Sequence, residues 1–285
     1  MTKIEVKHQS GEIALTITIP AKKVKEDFAG IKEEALKEVS VSGFRKGKAP
    51  KKVAEKHLSE DSLAEALFNR LIPPTYAEAL KKKGIKPIIP PQLKIVSYKK
   101  DADLVFEAKT AERPEVKLGD YKAALKKIKG RIIYGPKDKP LKGGTKITAG
   151  QVLEKLRETV DLKIPPILIE QEVQRMFSSL IDQVQKLGIT IDQYLASQGK
   201  TVDQLRKEYR EAAEINLKDG FILSEIAVEE KIKVTPKEIE EAIEAAPDEK
   251  TKEIFGQDRG RAYIEDVLRK RKTIEYLLRL AEGKS

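Results

Sequence analysis

The strongest constraint on this chain is a change in the spacing of its apolar residues. Between Lys3 and Ile19 they alternate with polar ones, at Ile4 and Val6 and again at Ile13, Leu15, Ile17 and Ile19, around Gln9-Ser10-Gly11-Glu12. Period two on both sides of turn chemistry reads as a β-hairpin. Pro20 stops the second strand, and from Ala21 the period becomes three or four through Val24, Phe28, Ile31, Ala35 and Val39, one face of an amphipathic helix. Helical spacing resumes after Pro50 through Val53, His57, Leu63, Leu67 and Leu71. Pro73-Pro74 is expected to break or kink it, leaving Thr75 to Lys83 as a short last helix that ends at Gly84. Alternation returns at Leu93, Ile95 and Ser97 and at Leu104, Phe106 and Ala108, with a turn over Lys99 to Ala102. Strands, helices and strands predict a compact α+β domain over residues 1–115.

Beyond residue 148 the helical period stands alone. Pro165-Pro166 opens a long helix with Ile169, Val173, Met176, Leu180, Val184 and Leu187 in one stripe, closed by Gly188. Thr201 with Gln204, and Thr235 with Pro236 and Glu238, are capping-box starts, the first leading through Leu205, Tyr209, Ala212 and Ile226. A last helix runs from about Gly260 through Tyr263, Val267, Ile274 and Leu277 to near Gly283. Residues 151–285 are therefore expected to form an all-α domain. With aromatic residues at 5%, no Trp and charged residues at 36%, its cores must be aliphatic and the domain is expected to be elongated.

Residues 116–150, rich in Gly, Pro and Lys, read as a basic linker or short hairpin arm whose only apolar run is Ile132-Ile133-Tyr134. Gly143-Gly144-Thr145-Lys146 is not a phosphate loop, because the order Gly-Lys-Ser/Thr at a helix start is missing.

Charge is distributed unevenly. Residues 1–120 hold 24 basic and 18 acidic side chains, residues 121–150 hold 9 and 1, and residues 151–285 hold 23 and 27. A polyanionic partner would meet the first half of the chain. There is no Cys, so thiolate chemistry and disulfides are excluded, and His8 and His57 stand too far apart in sequence to suggest a metal site. Carboxylates fall in helical runs such as Glu33-Glu34 and Glu240-Glu241, which read as solvated faces rather than acid–base pairs. No cofactor, metal or catalytic residue is expected. The first twenty residues hold no unbroken apolar run, so neither a signal peptide nor a membrane span is read there, and a cytoplasmic protein is expected.

One loop stands out. Gly43-Phe44-Arg45-Lys46-Gly47-Lys48-Ala49-Pro50 places a large apolar ring and two cations between two glycines, with a third cation just beyond and a proline poised to start the next helix. A loop that merely connects helices more often carries small polar residues. On residue types alone, Phe44 either folds into the core or is held out for a partner.

With its neighbours, this loop resembles the ribosome-docking signature of the trigger factor family of bacterial chaperones. The flanking amphipathic helix, Pro73-Pro74-Thr75-Tyr76 and Phe106-Glu107-Ala108 are similar to that family's first domain. Ile164-Pro165-Pro166, Gly188 through Leu195 and Ile232 through Ile239 resemble its helical chaperone domain, whose arms form an open cradle. The resemblance implies a ribosome-binding domain (1–115), the basic segment (116–150) in place of the family's prolyl isomerase domain, and a client-binding domain (151–285). Its implied docking residues are Gly43, Phe44, Arg45, Lys46, Gly47, Lys48 and Pro50. The implied partners are the large ribosomal subunit, through protein and rRNA beside the tunnel exit, and unfolded nascent chains. No membrane partner is implied, and weak self-association of the free protein is left open.

With no nucleotide motif, client holding is expected to be ATP-independent. Periodicity does not separate a client face from a core; Met176, Phe177, Leu180, Tyr194, Tyr209 and Phe221 are the large apolar and aromatic candidates. Rival readings are an rRNA-binding or ribosome-assembly factor that handles no clients, and a periplasmic-type chaperone.

Overall fold

The expected hairpin forms as β1 (Lys3–Gln9) and β2 (Glu12–Ile19), joined through Ser10 and Gly11 at φ 52° and 82°. Two successive positive φ values match the turn to the twist of the strands. α1 (Ala21–Glu38), α2 (Lys51–Glu55) and α3 (Glu60–Lys83) follow, then β3 (Gln92–Ser97) and β4 (Leu104–Ala111). The computed structural model describes residues 2–45, 49–99, 102–128, 131–134 and 140–283, the backbone alone at 131–134 and 140–146. The chain divides into two units, Met1–Arg113 with Pro165–Ile167, and Pro114–Ile164 with Leu168–Ser285.

In the first unit the strands pair antiparallel in the order β1-β2-β4-β3, with Ile17 opposite Ile4 on one side and Phe106 on the other. Leu15, Ile17 and Ile19 of β2 and Leu104, Phe106 and Ala108 of β4 pack with Val24 and Ile31 of α1 and Leu67 and Leu71 of α3. Each of these large side chains contributes about 1.5–3 kcal/mol by leaving water. The edge strand β3 is exposed along its whole length, its core-side Leu93 at 49%, because the helices cover β2 and β4.

α3 corrects the expectation at Pro73-Pro74, for it runs unbroken from Glu60 to Lys83. Both prolines are exposed, as are Asn69 and Arg70, the residues four positions earlier whose carbonyls lose their donors. Those carbonyls are on the watered face, while Leu71, Ile72, Tyr76 and Ala79 on the other face hold the helix to the sheet. The ends behave as expected: Lys81, Lys82 and Lys83 fill the last turn, and Gly84 closes it at φ 68°.

The second unit holds α4 (Tyr121–Lys126), the hairpin β5 (Arg131–Tyr134) and β6 (Pro140–Lys146), and α5 (Ala149–Thr159). α6 (Pro166–Lys186), α7 (Ile191–Ser197), α8 (Val202–Glu229), α9 (Pro236–Glu244), α10 (Glu249–Gly256) and α11 (Asp258–Ala281) complete it. Capping boxes start α5, α7, α8 and α9, at Thr148, Thr190, Thr201 and Thr235.

Its central core joins Tyr121 and Leu125 of α4 to Val152 and Leu156 of α5, Ile222 and Ile226 of α8 and Leu277 of α11. Residues 116–150 are therefore not solvated throughout: Tyr121 and Leu125, one helical turn apart, bury 98% and 100% of their surface. Arg157 reinforces this core with a two-pronged bond to Asp219, at 2.8 and 2.7 Å. On the other side of α4, the Tyr121 hydroxyl donates to Glu230 at 2.7 Å, and the Lys122 ammonium reaches the same carboxylate. The Lys122 ammonium and the donated hydroxyl bonds hold the Glu230 carboxyl below its ordinary value.

Two helical arms carry cores of their own. In the first, Leu180, Val184, Leu195 and Leu205 cluster from α6, α7 and the front of α8. In the second, Ile239, Ile243 and Ile264 cluster from α9 and the front of α11, with Phe255 of α10 against them.

Candidate functional site

The loop between α1 and α2 is held at both ends. α1 stops at Val39, whose N–H still bonds Ala35, and Val41 two residues on is buried. The Phe44 N–H then donates to the Val41 carbonyl at 3.0 Å, closing a turn with Gly43 at φ 83° in its third position. A side chain there would be strained, which is the local reason for a glycine. On the far side, the Pro50 carbonyl accepts from Val53 at 2.8 Å and Ala54 at 3.0 Å, and Ala54 is buried. Lys32 of α1 meets Glu55 of α2 at 3.0 Å, and this ammonium lowers the Glu55 carboxyl.

Anchorage thus comes from Val41, Ala54 and the Lys32–Glu55 pair. Phe44 is 47% exposed and, among the described residues, belongs to no core cluster. The sequence left its position open between core and surface; its place is at the surface. Arg45 beside it is exposed, as are Lys51, Lys52 and Val53 at the start of α2. Lys46, Gly47 and Lys48 lie outside the described residues.

The client-face candidates fare differently. Leu180 is 7% exposed and packs in the core of the first arm. Met176, Phe177, Tyr194 and Tyr209 are half-buried around the small cores of the same arm, and Phe221 lies half-buried against the central core. The Phe177 and Tyr209 rings pack against each other at a tilt of 60°, centroids 5.0 Å apart, an internal contact within the arm. Periodicity could not have separated these roles, because a thin arm buries the same residue types that a client face would offer.

The apolar residues that do reach solvent are others. Ile181, Leu187 and Val202 in the first arm are 39%, 73% and 50% exposed, and Ile254, Tyr263 and Val267 in the second are 52%, 59% and 43%. Tyr263 and Val267 are four apart on α11 and share a face. Among the described residues no group of acidic or histidine side chains could hold a metal ion, and no helix is long and apolar enough to cross a membrane.

An α+β unit presenting an aromatic and cations on a braced loop, followed by a helical unit with two separately cored arms, defines the class of protein. Two family models match: bacterial trigger factor protein over residues 2–132, and bacterial trigger factor protein C-terminus over residues 145–279. The chain belongs to the trigger factor family. Trigger factors of Staphylococcus aureus strains JH9 and Newman are each 37% identical to it over 122 residues, 43% of this chain and 28% of theirs. The chain thus aligns with little more than a quarter of those relatives' length. A solved structure from a study of promiscuous substrate recognition in folding and assembly by the trigger factor chaperone shares the fold. It superposes with a TM-score of 0.63 at 17% identity, covering 96% of this chain and 99% of that one.

Proposed function

We propose that this protein is an ATP-independent chaperone that docks at the polypeptide exit of the large ribosomal subunit and shields nascent chains. The observation that carries the docking half is the exposed Phe44 beside Arg45, on a loop whose fold is secured by other residues. Arg and Lys there would contact rRNA phosphates or acidic protein side chains, steering association in a salt-dependent way, and the ring would add short-range affinity on desolvation. Gly43 and Pro50 shape the described ends of the loop, and in this reading Phe44, Arg45, Lys46 and Lys48 make the contact.

The client half rests on Ile181, Leu187, Val202, Ile254, Tyr263 and Val267, apolar groups scattered along both arms. Scattered shallow contacts exchange quickly and tolerate unrelated sequences.

The proposal includes no isomerase activity. The two matched regions leave only residues 133–144 between them, whereas a further domain needs roughly 50 residues or more. Efficient acceleration of prolyl isomerisation in a protease-coupled peptide assay would refute that part. The docking test is ribosome co-sedimentation across a salt series with Phe44→Ala/Arg45→Ala/Lys46→Ala. Pelleting should be lost with the fold intact, and unchanged pelleting would overturn the site.

A further inference from the structure

The two edges of the sheet in the first unit are finished differently. On β1 the apolar Ile4 and Val6 pack against the core, and Lys3, Glu5 and Lys7 alternate with them. Such charges are one way an edge strand is kept from pairing again. On β3 the apolar side chains are bare: Leu93, Ile95 and Val96 are 49%, 36% and 56% exposed. Leu93 and Ile95 stand opposite Ala108 and Phe106, both wholly buried, so they carry the core face of the sheet out beyond the helices that cover it. Among the described residues the main chain of β3 bonds only β4, and its outer N–H and C=O groups turn to solvent. Ile88, 46% exposed, continues the row, because its N–H donates to the Ala111 carbonyl of β4 at 3.0 Å.

We propose that β3 is a client-pairing edge, to which an extended apolar segment of an unfolded chain adds as a further antiparallel or parallel strand. Main-chain bonds to the open edge supply affinity for any sequence, and Leu93, Ile95 and Val96 favour apolar side chains at alternate positions. The proposal rests on the client half of the proposed function and gives it a second kind of contact, in the first unit. An open row of N–H and C=O groups is matched by another extended chain, not by a helix or a lipid surface. Lys94, the one charged residue of β3, stands opposite Glu107, so the edge has no excess charge to hold a nucleic acid. A second copy is the poorer occupant. Pro90 and Pro91 precede the strand, the register slips between Ile95 and Ser97, and Tyr98 returns to the core against Phe68, ring centroids 5.0 Å apart. The free edge is thus six residues long. Two such edges together cover well under the roughly 1,200 Å² of a stable dimer interface, an area that suits a short, fast-exchanging contact with a peptide.

The probe is a short fluorescein-labelled peptide of alternating Val and Thr, titrated with the full chain and followed by anisotropy. Leu93→Lys/Ile95→Lys/Val96→Lys should weaken its binding about tenfold, the sum of three cross-strand contacts. The same peptide N-methylated at successive central residues has no donors on either edge there, and should bind the unchanged protein about tenfold or more weakly. That second comparison decides the matter even if circular dichroism shows that the triple variant has lost its fold. Equal affinity for the two peptides overturns strand addition, and so does full binding by a folded triple variant. A loss caused instead by Ile181→Lys/Leu187→Lys/Val202→Lys assigns the peptide to the first arm and overturns it as well. Sedimentation velocity reads the other occupant: a dimer that the β3 variant abolishes would put a second copy on the edge and overturn the peptide. Aggregation of reduced lysozyme separates this proposal from the reading beneath it. If the unchanged protein suppresses aggregation while the peptide ignores β3, strand addition alone fails; if it suppresses none, the client reading fails with it.

Discussion

The sharpest single perturbation is Phe44→Ala. The ring is 47% exposed in the free protein. A phenylalanine presents roughly 150–250 Å² in all, so about 100 Å² remains for a partner to cover. At about 25 cal/mol per Å² that area is worth roughly 2.5 kcal/mol, from which ordering the side chain takes back about 0.5–1.5 kcal/mol. The remaining 1–2 kcal/mol, at about 1.4 kcal/mol per tenfold, predicts a roughly 5- to 30-fold weaker Kd for ribosomes. Folding should hardly notice, because surface substitutions away from core contacts stay within about 0.5 kcal/mol. The assay pairs fluorescence titration of ribosomes with urea unfolding of the same two proteins. An unchanged Kd would refute docking through the ring. A stability loss of about 3–5 kcal/mol, the cost of deleting a core phenylalanine, would refute the exposed placement itself.

Other outcomes follow from the helical unit. The Glu238 carboxyl is held down at about 2 by the Lys272 ammonium and by the Thr235 N–H and hydroxyl. A carboxyl depressed in the folded state stabilises above its unfolded value near 4.5 and loses that contribution as pH falls towards 2. Arg261 lowers Glu240 and Thr251 lowers Asp248 in the same arm, so amide exchange in α9 and the front of α11 should accelerate between pH 4.5 and 2, once corrected for intrinsic rates. Gly260→Ala should destabilise the second arm, although an alanine in a helix usually gains about 1 kcal/mol over glycine. A Cβ at Gly260 would lie 2.2 Å from the Ile254 carbonyl oxygen and 2.5 Å from the Phe255 Cα, backbone atoms that yield only if α10 moves. Loss of exchange protection confined to α10 and α11 would verify it. Asp219→Ala leaves Arg157 half-buried without its carboxylate and should cost about 1–3 kcal/mol in urea unfolding, with Arg157→Leu/Asp219→Leu recovering most of it.

What the sequence determined by itself was local. Period two and period three or four set the strands and helices, Gly11, Gly84 and Gly188 marked positive φ, and Thr201 and Thr235 marked capping boxes, because each depends on neighbours within a few residues. The aromatic-and-cation loop was equally legible, since its glycines and proline announce a turn before a helix start. Tertiary structure decided the rest, because burial depends on which faces meet across the chain. The same apolar residue is core or contact surface according to what covers it. Only packing set Phe44 outside and Leu180 inside, carried α3 through Pro73-Pro74 with the prolines on the watered side, and drew Tyr121 and Leu125 out of a basic linker into a core.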